Sequence, residues 1–341
     1  MKTAMQIPGP DIRVQDYRPE QDEFASDEFA SPVPNLQSQQ ESLSRVCVVV
    51  SSSGRPECLA FLWRRLCAQT RKPHRVIFSV PRKEDLPASF CADDQVVPEV
   101  ILSPKGLTRQ RNKGMEMVLD DADVIVFFDD DYVPSVTAIE GIRRAFETLP
   151  DVTGLTGKLL ADGAGGPGLE PAEAAQLVDE WDAGPGRAVI AAPPREIAPR
   201  PWLYGCNMAY RASAIGETRF DERLPLYAWQ EDIDFSGRIP GRMMLSDALV
   251  GVHCGVKRGR EKRGELLGYS QIANPVYLLR KGSMTPRFAL RLCVRNFLSN
   301  HARAFWPEPW VDRRGRVRGN WRAIFDLCRG KIDPERLPSL Q

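Results

Sequence analysis

The segment Val124-Ile125-Val126-Phe127-Phe128 runs directly into Asp129, Asp130 and Asp131. Five successive apolar residues read as a strand buried on both faces, and carboxylates leaving such a strand stand where open α/β sheets bind their ligands. Three adjacent negative charges repel one another. A divalent cation removes that repulsion, and Mg²⁺ or Mn²⁺ held by one or two Asp side chains completes its shell with phosphate oxygens. The alternative is an acidic turn ahead of a helix begun at Pro134-Ser135.

A chain of 341 residues with 43% hydrophobic content can bury a large core. Its apolar runs, around Val46 to Val50 and Val124 to Phe128, fall far short of the roughly 20 residues a membrane-spanning helix needs. No apolar stretch follows Lys2, so a cytoplasmic chain is expected. The eight cysteines include no C-x-x-C pair, which fits reduced structural thiols better than zinc or a disulfide framework.

The net charge of +1 conceals an asymmetry. Residues 1–44 carry three Lys/Arg against eight Asp/Glu, a net of −5, and read as a disordered acidic tail. Residues 255–341 carry nineteen Lys/Arg against seven Asp/Glu, a net of +12, so their partner should be anionic.

Between these ends, strand and helix patterns alternate. Val46 to Val50 gives a first strand, Ser51 to Pro56 its exit loop and Glu57 to Gln69 a helix. Strands are expected at Arg75 to Val80 and Val96 to Leu102, helices at Thr108 to Leu119 and Thr137 to Leu149, and a further strand, possibly at an edge, at Val152 to Leu160. This alternation predicts a mostly parallel, doubly wound α/β sheet. Residues 161–201, rich in Gly, Pro and Ala around a helical pattern at Pro171 to Trp181, read as a lid or acceptor-binding loop.

The ordered pieces Ser51 to Pro56, Arg111-Asn112-x-Gly114, Asp129-Asp130-Asp131, Gly205-Cys206-Asn207-Met208, Phe220-Asp221-Glu222, Glu231-Asp232 and His253 resemble the inverting glycosyltransferases of family 2. The resemblance covers residues 45–255. It implies a GT-A fold and transfer of a sugar from a nucleoside-diphosphate sugar; beyond it, charge and spacing give a basic, largely helical C-terminal extension at 256–341. The implied setting is polysaccharide or glycan biosynthesis. Asp131 is implied as the metal ligand with Asp129 and His253, and Mn²⁺ or Mg²⁺ as the ion. Asp232 is implied as the base that deprotonates the acceptor. Ser51, Ser53, Arg55, Arg111, Asn112, Asp129, Gly205, Asn207 and Glu231 are implied around the donor.

Each piece also has a bottom-up alternative. Glu231 and Asp232 would suit the first turn of any helix, and a lone His ending an apolar stretch suits a core or loop position. Chemically, a leaving diphosphate needs positive charge beside it, and an Asp with a reference pKa of about 3.9 is ionised at neutral pH and can accept a proton. Arg111 can pair with a phosphate or brace Asp129. The chain departs from the family after its first two strands. Ser51-Ser52-Ser53-Gly54-Arg55 replaces Pro-Thr-Tyr-Asn-Arg, and Ser79-Val80-Pro81-Arg82-Lys83 lacks the acid that reads the base. A UDP-sugar is the first expectation, with GDP and dTDP forms open.

The acceptor is expected to be a saccharide or a lipid-linked saccharide. Lys257, Arg258, Arg260, Lys262 and Arg263 precede a helical stripe of Arg287, Arg291 and Arg295, with Phe288, Leu292, Val294, Phe297 and Leu298 on its other faces. Such a helix fits an anionic membrane surface at the inner face of the cell, or packs on the catalytic body. Nucleic acid is not expected as a partner, given the near-neutral total charge and the lack of a recognised motif. A sugar-nucleotide nucleotidyltransferase and a non-catalytic membrane-surface protein on the same scaffold are the competing expectations. No Gly-rich triphosphate loop with a neighbouring Lys follows the first strand.

Overall fold

A computed structural model describes residues 43–257 and 263–340. The expected acidic tail lies almost wholly outside these residues, as do Arg258, Arg260 and Lys262. The chain begins with β1 (Val46–Ser51), α1 (Pro56–Cys67), β2 (Arg75–Val80), β3 (Pro98–Leu102), α2 (Leu107–Glu116) and β4 (Val124–Asp129). It continues through β5 (Tyr132–Pro134), α3 (Ala138–Thr148), β6 (Val152–Asp162), α4 (Pro171–Ala183), α5 (Pro185–Ala191) and β7 (Glu196–Pro199). Then come β8 (Asn207–Arg211), α6 (Ala212–Ile215), α7 (Glu231–Gly237) and β9 (Arg242–His253), followed by helices α8 (Gly264–Lys281), α9 (Pro286–Arg303) and α10 (Arg313–Cys328).

The sheet order is β3-β2-β1-β4-β8-β6-β9-β5, with β7 also on β9. From β3 to β4 all pairings are parallel. Beyond β4 the sheet is mixed: β8 is antiparallel to β4 and β6, whereas β6 and β9 run parallel. Strand residues alternate between two cores, as a period of two requires. Val46, Val48, Val124 and Val126 pack with Leu59, Leu62, Trp63 and Leu66 of α1 and Ile142 of α3, while Cys47, Val49, Ile125 and Phe127 pack with Met115 of α2 and Phe235 of α7. Each fully buried large apolar side chain contributes about 1.5–3 kcal/mol. This is the α/β sheet with helices on both faces and a C-terminal helical extension that the sequence predicts.

Two expectations change. The strand at residues 152–160 is not at an edge: β6 lies inside the sheet between β8 and β9. Its neighbours come from segments about fifty and ninety residues later, and local apolar pattern does not encode which strand lies alongside. Within residues 161–201 the expected helical pattern is α4, and the segment also holds α5 and β7, which were not expected. Ala174 and Val178 of α4 are buried against Val133, Val252 and Cys254, and Arg65 of α1 pairs with Asp179 at 2.7 Å.

Register sets the position of the site. Ser51 lies beside Asp129 across β1 and β4, Asn207 beside Phe128 across β4 and β8, and Tyr132 and Asp162 beside His253 across β5, β6 and β9. The ends of six strands therefore meet around one carboxylate cluster.

Candidate active site

Asp129 ends β4 and Asp131 follows in the tight turn to β5. That turn and the β5–β9 pairing bring His253 over the acids, and the Cys254 N–H donates to the Asp131 carbonyl at 3.0 Å. His253 Nε2 lies 3.5 Å from Asp131 Oδ1 and 3.9 Å from Asp129 Oδ2. One ligand atom from each of Asp129, Asp131 and His253 falls within 4.8 Å of the others. The sites around this trio are already arranged for an ion. Asp162 holds His253 Nδ1 at 2.8 Å, leaving Nε2 for the cluster, and the Val256 N–H donates to Asp131 Oδ2 at 2.8 Å. Tyr204 donates to Asp162 at 3.1 Å. An N,O donor set of two carboxylates and one imidazole fits Mn²⁺ well and Mg²⁺ less well.

The electrostatics agree with a cation-seeking pocket. Burial disfavours the Asp131 carboxylate, but His253, Arg55 and the Val256 N–H outweigh it and hold the group below the ordinary carboxylate range. Burial likewise disfavours a charged His253, and Asp131 and Asp162 reverse that, raising it to about 10. A proton on His253 thus supplies part of the positive charge that a metal ion would supply.

Asp130 serves a different role from its neighbours. Its side chain is buried, accepts from the Ser52 hydroxyl at 2.5 Å and lies 2.6 Å from Arg55 Nη2. Arg55 also lies 3.4 Å from Asp131. Arg55, expected at the donor nucleotide, is therefore engaged by two carboxylates of the turn. Ser51 is buried and its hydroxyl has no hydrogen-bond partner among the described residues, while Ser53 is half-buried in the exit loop.

Arg111 is the link to the second half of the site. Its buried guanidinium lies 3.0 Å from Asp129 Oδ1 and 2.6 Å from Glu231 Oε1, and donates to the Gly205 carbonyl at 2.8 Å. The Gly205 N–H donates to Asp232 Oδ2 at 3.0 Å, and the Ile233 N–H to Asp232 Oδ1 at 2.9 Å. A Cβ on Gly205 would sit 3.2 Å from Asp232 Oδ2, so the glycine permits this close approach. Gly114 has a matching role one layer below: a Cβ there would meet Val49 at 2.5 Å, so the glycine lets α2 lie tightly on β1 and delivers Arg111 to the strand ends.

One guanidinium faces three carboxylates, and the acids respond. Burial, then the charge of Asp232, push Glu231 up to about 8 against the pull of Arg111. Burial also raises Asp232, opposed by the Gly205 N–H and by Arg111. A carboxylate made more basic in this way is a better proton acceptor.

Two residues expected around the donor are turned inward. Asn207 is fully buried, accepts from Thr156 at 2.6 Å and donates toward Tyr132 and Gly157. Asn112 bonds the Phe220 backbone and Glu222, tying α2 to the segment before α7. Both brace the site from beneath. Conversely, Asp162 and Tyr204 enter the site without a sequence signal, and Asp162 is 91 residues from the histidine it holds. Ser52 belongs to the loop expected at the nucleotide, and its hydroxyl donates to Asp130.

No family model matches the chain, and no curated protein matches it in sequence. Among solved structures it is similar to S. aureus TarS 1–349, with 12% identity over 87% of this chain and 83% of that one and a TM-score of 0.49. That protein is also known in complex with UDP-GlcNAc, at a TM-score of 0.48. The mannosyltransferase PcManGT from Pyrobaculum calidifontis, in complex with GDP-Man and Mn²⁺, is 14% identical over 86% of this chain and 85% of that one, with a TM-score of 0.41. At this degree of likeness the chemistry rests on the site's own geometry.

Proposed function

We propose that the protein is a metal-dependent, inverting glycosyltransferase that moves a sugar from a nucleoside-diphosphate sugar to a saccharide or lipid-linked saccharide. The observation that carries this is the Arg111 guanidinium, in contact with Asp129 of the metal-ligand trio and with Glu231 beside Asp232. Through Glu231 and the Gly205 carbonyl, one side chain ties Asp129 to the segments that hold Asp232, which supports a single shared site.

A divalent ion at Asp129, Asp131 and His253 supplies positive charge beside the donor diphosphate when bound. The chain's own residues do the rest. Asp232 accepts the proton of the acceptor hydroxyl as that oxygen bonds the anomeric carbon, while the carbon–oxygen bond to the diphosphate breaks and its electron pair stays with the departing phosphate oxygen. Attack from the face opposite the leaving group inverts the anomeric centre. The two backbone N–H groups on Asp232 fix its orientation, leaving the remaining lone pairs for the incoming hydroxyl. The hydroxyl of Ser51 and the half-buried Ser53 are assigned to the nucleotide, with a UDP-sugar as the first donor to try. Segment 161–201, which starts beside Asp162, is assigned to the acceptor.

The test is release of nucleoside diphosphate from UDP-, GDP- and dTDP-sugars, with and without Mn²⁺. Slow Mn²⁺-dependent release from one donor is expected. Pyrophosphate release from a sugar phosphate and a nucleoside triphosphate would instead identify a nucleotidyltransferase, and inertness toward every donor would leave only a binding protein.

A further inference from the structure

The C-terminal helices carry an outward surface that the site does not use. On α9, Arg287, Leu290, Arg291, Val294, Arg295 and Leu298 follow one another at three- and one-residue steps, which places all six on a single face. All six are exposed, Leu290 at 66% and Leu298 at 59%. Past the helix end, Phe305 and Trp306 are 74% and 85% exposed. The neighbouring helix repeats the pattern, with Trp321 and Phe325 about half exposed between Arg318, Arg322 and Arg329. Phe297 of α9 and Trp321 of α10 meet edge to face at 5.4 Å, so the two faces adjoin.

The sequence reading put Leu292, Val294 and Leu298 on faces other than the arginine stripe; Val294 and Leu298 instead share that face, and Leu292 is turned inward, buried with Ala289, Leu278 and Met284. The orientation is locked by a buried polar network. Asn300 donates to Gln271 of α8 at 2.7 Å and to Asn320 of α10 at 3.0 Å, and accepts from Arg313 at 3.0 Å. Arginines and large apolar residues thus share the outward face by the packing of the opposite one.

We propose that the outward faces of α9 and α10, with Phe305 and Trp306, form a docking surface for an anionic lipid bilayer. Charge complementarity selects this occupant. The region from residue 255 carries a net of +12, so a second copy seated on the same face would set one arginine stripe against another. An anionic bilayer offers negative headgroups to the arginines and an apolar layer below them to Leu290, Val294, Leu298 and Phe305. Arginine stems lie along apolar surface while their heads stay in the headgroup layer, and indole rings favour that same boundary. Among the described residues no helix is long and apolar enough to cross a membrane, so contact is from one side. The surface is independent of the transfer chemistry, but it would bring a lipid-linked acceptor to the enzyme.

Flotation of the full chain with vesicles tests it without any substrate. Binding is expected to vesicles of phosphatidylcholine and phosphatidylglycerol in equal amounts, and to fall at least about tenfold on phosphatidylcholine alone. Phe305→Ser with Trp306→Ser, and separately Arg287→Glu with Arg295→Glu, should each weaken binding by about tenfold or more while the melting curve is unchanged. Hydrogen exchange of the unmodified chain gives a second readout, with vesicle-induced protection expected along α9 and α10. The proposal fails if neither vesicle binds, if both bind equally, or if the variants bind undiminished. It fails too if protection falls elsewhere, or if the surface instead drives a dimer that the aromatic variant dissociates.

Discussion

The two flanks of the site are built by different means. The Asp129–Asp131–His253 flank hangs on the sheet: Asp129, Asp162 and His253 are set by strand register and Asp131 by the tight turn from β4 to β5, so a residue cannot shift there without breaking ladder hydrogen bonds. The Asp232 flank hangs on a loop. Leu226, Ala228 and Gln230, none of them glycine, adopt positive φ of 60°, 53° and 74° just before α7. Such backbone persists only where its surroundings hold it. The surroundings are the C-terminal helices: Asn274 of α8 donates to the Trp229 carbonyl at 2.8 Å, Leu278 packs on Leu224 and Ala228, and Lys281 pairs with Asp221 and Asp234 at 2.6 and 2.8 Å. The C-terminal extension is thus part of the site's scaffold: it holds the loop that leads to Asp232 and leaves the Asp129–Asp131–His253 cluster to the sheet.

If that division holds, damage on each flank should read out differently. Asp232→Asn, which keeps the shape but removes the charge, should lower kcat by about 10²–10⁴-fold with donor affinity within a few fold. Steady-state kinetics and donor titration separate the two, and a large loss of donor binding would show that Asp232 holds substrate instead. On the other flank, Asp162→Ala should weaken Mn²⁺ by about 10–100-fold in calorimetry, because His253 loses the partner that orients its ring. Unchanged affinity would remove His253 from the ligand set.

A smaller effect tests the scaffold itself. Asn274→Ala leaves the Trp229 carbonyl without its partner and should cost about 1 kcal/mol of stability. More tellingly, it should lower kcat while Mn²⁺ affinity stays unchanged, since only the loop before α7 is loosened. A parallel loss of Mn²⁺ affinity would mean that the two flanks are not separable.

A last effect is on pH. Glu231 is raised from 4.5 to about 8, so its contribution to stability is fully present below about pH 4.5 and is lost as pH rises through about 8. Thermal midpoints of the unmodified chain should therefore fall relative to Glu231→Gln across that window. A rise instead would mean that Arg111 keeps Glu231 ionised in the folded protein throughout.

Much of the fold was legible because it depends on local pattern. The run from Val124 to Phe128 reads as a doubly buried strand, and β4 is that strand with all five residues buried. The period of Leu59, Leu62 and Leu66 gives α1, and the acids after β4 mark the strand end where the site forms. Asp162, the bond from Ser52 to Asp130 and the inward turn of Asn207 were not legible. Each depends on which strand lies beside which, and residues far apart in sequence leave no trace of that in either segment.

By itself the sequence determined the elements, the cluster of acids and the basic character of the C-terminal third, since periodicity, apolar runs and charge are properties of neighbouring residues. Only the tertiary structure decided that Arg111 would join Asp129 to Glu231, that α8 would secure the loop before Asp232, and that the face of α9 shared by arginines and leucines would point outward. Those outcomes arise from packing and register, in which the position of each side chain is fixed by partners remote along the chain.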